Sequence, residues 1–234
     1  MGIFRRRTRC DDLIPVILPA PPPHYISKVK KPGEIFLAEN PAPTSKDWSR
    51  HNYWRNIHNY LYRNLGGICV YCASWTPRRN DSFVGTDSTS IDHFAPKSVN
   101  PQKAYDWNNF RLCRTRLNNL KGEHTDVLDP CAMTDRCFML DFSTFRIKPA
   151  NGISATLETK VKATIKRFRL NDDKDYVDQR IQVIRDYSLG KVSINQLRTK
   201  YPFIAEEIVT QDFDLKFRTR LAEYFKRPTI APKI

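Results

Sequence analysis

An acid and a histidine stand side by side at Asp92-His93, and Asn118 and Lys121 follow on a later segment, three residues apart. Hydrolysis of a phosphodiester needs a base that is unprotonated near neutral pH, a cation to offset charge on the phosphorane, and stabilisation of the leaving oxygen. Histidine, with an unperturbed pKa of about 6.5, suits the first task. A carboxylate joined by an amide oxygen suits Mg²⁺ or Mn²⁺, hard cations that prefer oxygen ligands. His93 is therefore the candidate base, and Asp92 and Asn118 are the candidate metal ligands. Adjacent side chains of a flat strand point to opposite faces, so a site using both Asp92 and His93 requires the strand to twist or break. Pro96 follows three residues on.

The elements that must position these groups are legible as patterns. "SIDHF", which carries the pair, is a β-like run ended by Pro96, and the β-rich "GICVYCAS" precedes it across the polar loop "TPRRNDSFVGTDST". The pattern from Phe110 to Lys121, stopped by Gly122, predicts a helix, giving a strand, strand, helix order. At about 100° per residue, Arg111, Arg114, Asn118 and Lys121 share one arc of that helix, opposite Phe110, Leu112, Cys113, Leu117 and Leu120. That arc places cations around an asparagine. Arg111, Arg114 and Lys97 are candidate nucleic-acid contacts, with Arg78 and Arg79 as further ones.

The flanks divide the chain into three: an extended proline-rich arm over 1–43, a central unit over 44–150 and a helical region over 151–234. Pro15, Pro19, Pro21 to Pro23, Pro32, Pro41 and Pro43 argue against helix in the arm. Residues 45–67 read as one helix on which His51 and His58 share a face, stopped by Gly66-Gly67. A hairpin is expected from "CFMLDF" and "FRIKP", then helices near 157–168, 172–187, 193–200 and 215–225. The fold class is α+β.

Thirty-nine Lys and Arg against 25 Asp and Glu give a formal net charge of +14, which favours a polyanionic partner, nucleic acid fitting best. No apolar run approaches the roughly 18 to 20 residues that span a bilayer, and the arginine-bearing start lacks the apolar stretch of a secretory signal. No membrane association is expected, and the cytoplasm is the expected location. Six cysteines lie at 10, 69, 72, 113, 131 and 137, of which only Cys69 and Cys72 have ligand-like spacing.

The residues "IDHFAPKS", then "WNNF", then "LNNLKG" resemble the HNH endonuclease family of the His-Me, or ββα-metal, fold. The resemblance covers about 68–130. It implies a metal-dependent endonuclease with His93 as general base, Asp92 and Asn118 on the metal, Asn109 holding the orientation of the histidine, and Lys121 as the lysine after the helix ligand. DNA is the substrate that the family favours, and RNA such as tRNA stays open. Many members hold a structural zinc with two CxxC pairs. Cys69 and Cys72 match the first pair, but the second would fall at Arg114 and Leu117, so the zinc is in doubt. HNH proteins of this size with added helices also resemble effector subunits of bacterial antiphage systems, Septu-like and retron-associated, which work beside an ATPase partner. The alternative is a basic nucleic-acid-binding module of the same fold that does not cleave.

Overall fold

The computed structural model describes residues 16–78, 87–133, 136–213 and 215–226. Arg79, one of the further cationic candidates, lies outside them.

The segment after Pro23 is helical, not extended: a π-helical turn over Ile26–Lys30 runs into α1 (Lys31–Glu39). None of the prolines falls between residues 24 and 31, and Pro32 stands where the π-helical turn gives way to α1. α2 (Ser45–Arg50) starts at a capping box in which Thr44 and Asp47 satisfy each other's backbone N–H groups. The single helix expected over 45–67 is interrupted. Asn52 donates its side-chain amide to the Ser49 carbonyl at 2.6 Å, competing with helical bonding, and a 3-10 turn (Tyr53–Ile57) separates α2 from α3 (His58–Asn64). His51 and His58 consequently do not share a helix face. His51 stacks on Phe36 and His58 reaches Thr89.

"GICVYCAS" is not a strand. It folds back on itself, with Ala73 N–H donating to the Cys69 carbonyl and Cys69 N–H to the Ser74 carbonyl, and makes one isolated bridge between Ile68 and Trp75. The two strands are β1 (Thr89–His93) and β2 (Phe110–Arg114), antiparallel, with Asp92 opposite Arg111 and His93 opposite Phe110. The expected helix over Phe110–Lys121 is therefore strand in its first five residues and α4 (Thr115–Lys121) in the rest, ending at Gly122 with φ 49°. β1, β2 and α4 do follow in strand, strand, helix order, but the first expected strand is absent and β2 is cut from the expected helix.

Beyond α4 come the hairpin β3 (Phe138–Asp141) and β4 (Arg146–Pro149), then α5 (Ala155–Arg167), α6 (Lys174–Ser188), α7 (Ile194–Lys200), α8 (Pro202–Thr210) and α9 (Leu215–Lys226). α8 has no counterpart among the expected helices. Its Glu207, buried, accepts from Arg136 and from the Leu140 backbone, fastening it to β3. The architecture is α+β. No described helix is long and apolar enough to cross a membrane.

The β1–β2 ladder lies between two apolar clusters. Ile91, Phe110 and Leu112 join the aromatic cluster of the N-terminal helices, built on Tyr25, Phe36, Trp48, Tyr105 and Trp107. Cys113 and Leu117 join the cluster of the helical C-terminal region, with Cys69, Tyr71, Phe168 and Ile184.

Candidate active site

β1 pairs regularly through His93, so its alternation is kept and Asp92 and His93 point into different surroundings. Asp92, 3% exposed, turns toward Tyr71 and α4. The Tyr71 hydroxyl donates to its Oδ2 at 2.5 Å and the Lys121 ammonium to its Oδ1 at 3.2 Å. Burial pushes the Asp92 carboxyl up, and Lys121 and Tyr71 pull it back. Lys121, fully buried, also donates to the His93 carbonyl at 2.9 Å, so one ammonium bridges the acid's side chain and the histidine's backbone.

His93, 5% exposed, turns toward the aromatic cluster, edge-on to Trp54 at 4.6 Å and to Phe110 at 5.5 Å. Its Nε2 lies 2.9 Å from the Ala104 carbonyl. A carbonyl only accepts, so Nε2 carries the proton and Nδ1 holds the free lone pair. Burial pushes the imidazole pKa down to about 3, Lys97 and Lys121 adding to the shift and the Ala104 bond opposing it. The ring is neutral at pH 7.

Asn109 does not touch His93. Its Oδ1 accepts from Ala95 N–H at 2.7 Å, and its Nδ2 donates to the Ala95 and Lys103 carbonyls at 3.0 and 2.9 Å. It staples the loop between β1 and β2, and the residue after Lys103 supplies the carbonyl that fixes His93. Its hold on the histidine passes through the loop. Asn118 lays α4 on β1, its Nδ2 donating to Ser90 Oγ at 3.1 Å and the Ile91 carbonyl at 3.3 Å, which leaves its Oδ1 out of both bonds.

Lys97 sits over the Trp54 ring at 5.5 Å and senses the charges of Asp92 and Lys121, so it belongs to this centre. Burial pulls its pKa down, with Asp92 acting the other way.

Arg111 and Arg114 do not. Both are on β2, and the helical arc expected to display them does not form. Arg111, 2% exposed, grips Asp129 through two bonds of 2.8 and 2.6 Å and spends Nη1 on the Asn108 and Phe110 carbonyls. Arg114 stacks over Tyr176 at 5.2 Å. A guanidinium used this way holds the fold and is not offered to a phosphate.

Cys69 and Cys72 lie side by side in the turn below β2, where the Arg114 N–H donates to Cys69 Sγ at 3.2 Å. Among the described residues no group of three or more Cys, His, Asp or Glu side chains is arranged to hold a metal, so the four ligands of a structural zinc are not assembled there.

Three contributors carried no sequence signal: Tyr71, the Ala104 carbonyl and Trp54. No family model matches the chain, and no curated protein sequence is similar to it.

Proposed function

We propose that the chain is a metal-dependent HNH-type endonuclease hydrolysing phosphodiester bonds of nucleic acid, DNA in the first instance. The observation that carries this reading is the set of contacts made by β1, β2 and α4. Lys121 ties Asp92 to the His93 backbone, Asn118 lies against the same strand, and His93 is a neutral imidazole with Nε2 fixed on Ala104 and Nδ1 open. The unprotonated Nδ1 carries the lone pair that a general base uses, while the burial that pushes the imidazole down to about 3 opposes its taking a proton. The Asp92 carboxylate and Asn118 Oδ1 are donors of the class that Mg²⁺ or Mn²⁺ takes, and both carboxylate oxygens keep a lone pair beyond the bonds from Tyr71 and Lys121. A cation held by Asp92 and Asn118 would supply Lewis-acid charge at the phosphate and leaving oxygen. His93 Nδ1 accepts the proton of the attacking water, and Lys97 adds positive charge at the mouth of the centre.

A cleavage assay of wild type and His93→Ala on duplex DNA, single-stranded DNA and tRNA, with Mg²⁺, Mn²⁺ or EDTA, tests this. Loss of the base should lower cation-dependent cutting by at least about a hundredfold and leave nucleic-acid affinity unchanged. Cutting by the variant at the wild-type rate would remove His93 from the mechanism. The burial of Asp92 and His93, and the regular β1 pairing that sends them into different surroundings where a shared site calls for a twist or break, favour a second reading, a basic binding module; binding without cleavage under every cation would decide for it.

A further inference from the structure

Arg111 and Arg114 are turned inward, so the charge that a polyanion would meet lies elsewhere. Besides Phe110, the His93 ring touches the Trp54 ring at 4.6 Å and, through Nε2, the Ala104 carbonyl at 2.9 Å. Each of these two residues has a cation beside it in the chain, Arg55 after Trp54 and Lys103 before Ala104, and both cations are exposed. A third, Lys97, holds its ammonium 5.5 Å from the centroid of the Trp54 ring. Neighbouring Cα atoms are about 3.8 Å apart, so Arg55 and Lys103 are rooted one peptide from the imidazole's own contacts.

These three cations are not spent on the fold. Arg111 pairs with Asp129, Arg114 with Asp87, and Arg116 with Asp173 and Asp175, whereas no ion pair among the described residues involves Arg55, Lys97 or Lys103. The backbone beneath them is fixed all the same. Asn109 Nδ2 donates to the Lys103 carbonyl at 2.9 Å, and the Tyr105 hydroxyl donates to the His51 carbonyl at 2.7 Å. With the Trp54 and Tyr105 rings 5.9 Å apart, the 3-10 turn that bears Arg55 and the loop that bears Lys103 are held against each other. Of the exposed acids nearby, Asp106 turns its carboxylate to the Asn108 N–H, and Glu123 acts on Lys97 from beyond the end of α4.

We propose that Arg55, Lys97 and Lys103 form the face that receives the phosphate backbone of duplex DNA and brings it toward His93. The strand then approaches over the N-terminal helices and the β1–β2 loop, not along the arginines of β2. What becomes of the phosphate rests on the endonuclease reading; the course of the strand rests on these cations. Each cation that neutralises a phosphate releases condensed counterions, which makes the contact readable as a dependence of affinity on salt.

Binding of a labelled duplex to the full chain is measured by fluorescence anisotropy in EDTA, so that nothing is cut, over about 0.05 to 0.2 M salt. A phosphate contact contributes about 0.9 to the slope of log K against log salt. Arg55→Ala with Lys103→Ala should therefore flatten the slope by about 1.8 and weaken binding at about 0.1 M salt at least tenfold. Adding Lys97→Met, which keeps the stem over Trp54, should flatten it by about 0.9 more. The matched control, Lys160→Ala with Lys166→Ala, removes two exposed charges from α5, whose Val161 is buried in the other cluster, and should change the slope by less than about 0.5. Equal losses in the two double variants would mean that the chain responds to net charge alone, and would overturn the face. So would an unchanged slope in the triple variant, or wild type that shows no salt-dependent binding. Mg²⁺ is then added to the same preparations. Wild type that binds through these cations and does not cut leaves the face standing and removes the endonuclease reading; a triple variant that binds and cuts like wild type does the reverse.

Discussion

The Lys121 ammonium and the Asp92 carboxylate form a pair with side chains 0% and 4% exposed. Neither charge has water to fall back on, so removing one strands the other in a low-dielectric interior. Lys121→Met should therefore cost about 3 to 5 kcal/mol in denaturant unfolding. The double change Asp92→Asn with Lys121→Met should recover most of that loss, because no bare charge is left behind. Equal stability of the single and double variants would mean that water or another group already compensates Asp92. The same geometry explains why the cationic residues of the sequence divide as they do. Arg111 has a carboxylate partner in Asp129 and two carbonyls to fill its fork, whereas Lys97 keeps its ammonium at the edge of the centre.

A five-residue ladder and a seven-residue helix are each too short to be stable alone, so the element between them matters as much as either. Asn109 makes three side-chain hydrogen bonds across the β1–β2 loop, none of them to His93. Asn109→Ala should lower kcat by about a hundredfold through a misplaced base, with nucleic-acid affinity little changed, as rate and binding measured side by side would show. Upstream, the α2 capping box sets the helix that carries Trp48 into the aromatic cluster. The Thr44 side chain and backbone hold the Asp47 carboxyl below its ordinary 3.8. A carboxyl with a depressed folded value stabilises above its unfolded value and loses that contribution as pH falls through the folded one. The gap in melting temperature between wild type and Asp47→Ala should accordingly be full near pH 7 and close as the pH drops below 3.8. At this scale the sequence was half legible. Asp92, His93, Asn118 and Lys121, singled out by local spacing and narrow chemistry, do lie on one ladder and the helix laid against it. Phe110 to Arg114 was not legible as a strand, since Phe110 and Leu112 fit a strand face as well as a helix arc, and the choice was made by pairing with β1 across the loop. The fate of Arg111 and Arg114 was likewise set by Asp129 and Tyr176, partners that no local pattern announces.

For the molecule as a whole, the ladder that bears His93 is a wall shared by two clusters, and the N-terminal one takes Tyr25, Val29, Phe36 and Leu37 from the segment expected as an extended proline-rich arm. The Tyr25 hydroxyl donates to the Tyr105 carbonyl at 2.7 Å, the Trp107 indole N–H to the Pro19 carbonyl at 2.9 Å, and the Tyr60 hydroxyl to the Ala20 carbonyl at 2.8 Å. α1 closes on Tyr105 so tightly that a Cβ at Gly33 would stand 2.2 Å from the ring. Tyr105 follows Ala104, whose carbonyl fixes His93, and its ring lies 5.9 Å from Trp54, which packs on the imidazole. Gly33→Ala forces the Tyr105 ring or the helix to move, an overpacking cost of about 1 to 3 kcal/mol. The displacement lies one residue from the support of the base, so the cleavage rate of the folded variant should fall as well. Thermal unfolding and single-turnover cleavage of the same preparation separate the two effects. A variant that melts lower but cuts normally would confine α1 to stability; one that is unchanged in both would show that its close approach to Tyr105 supports neither.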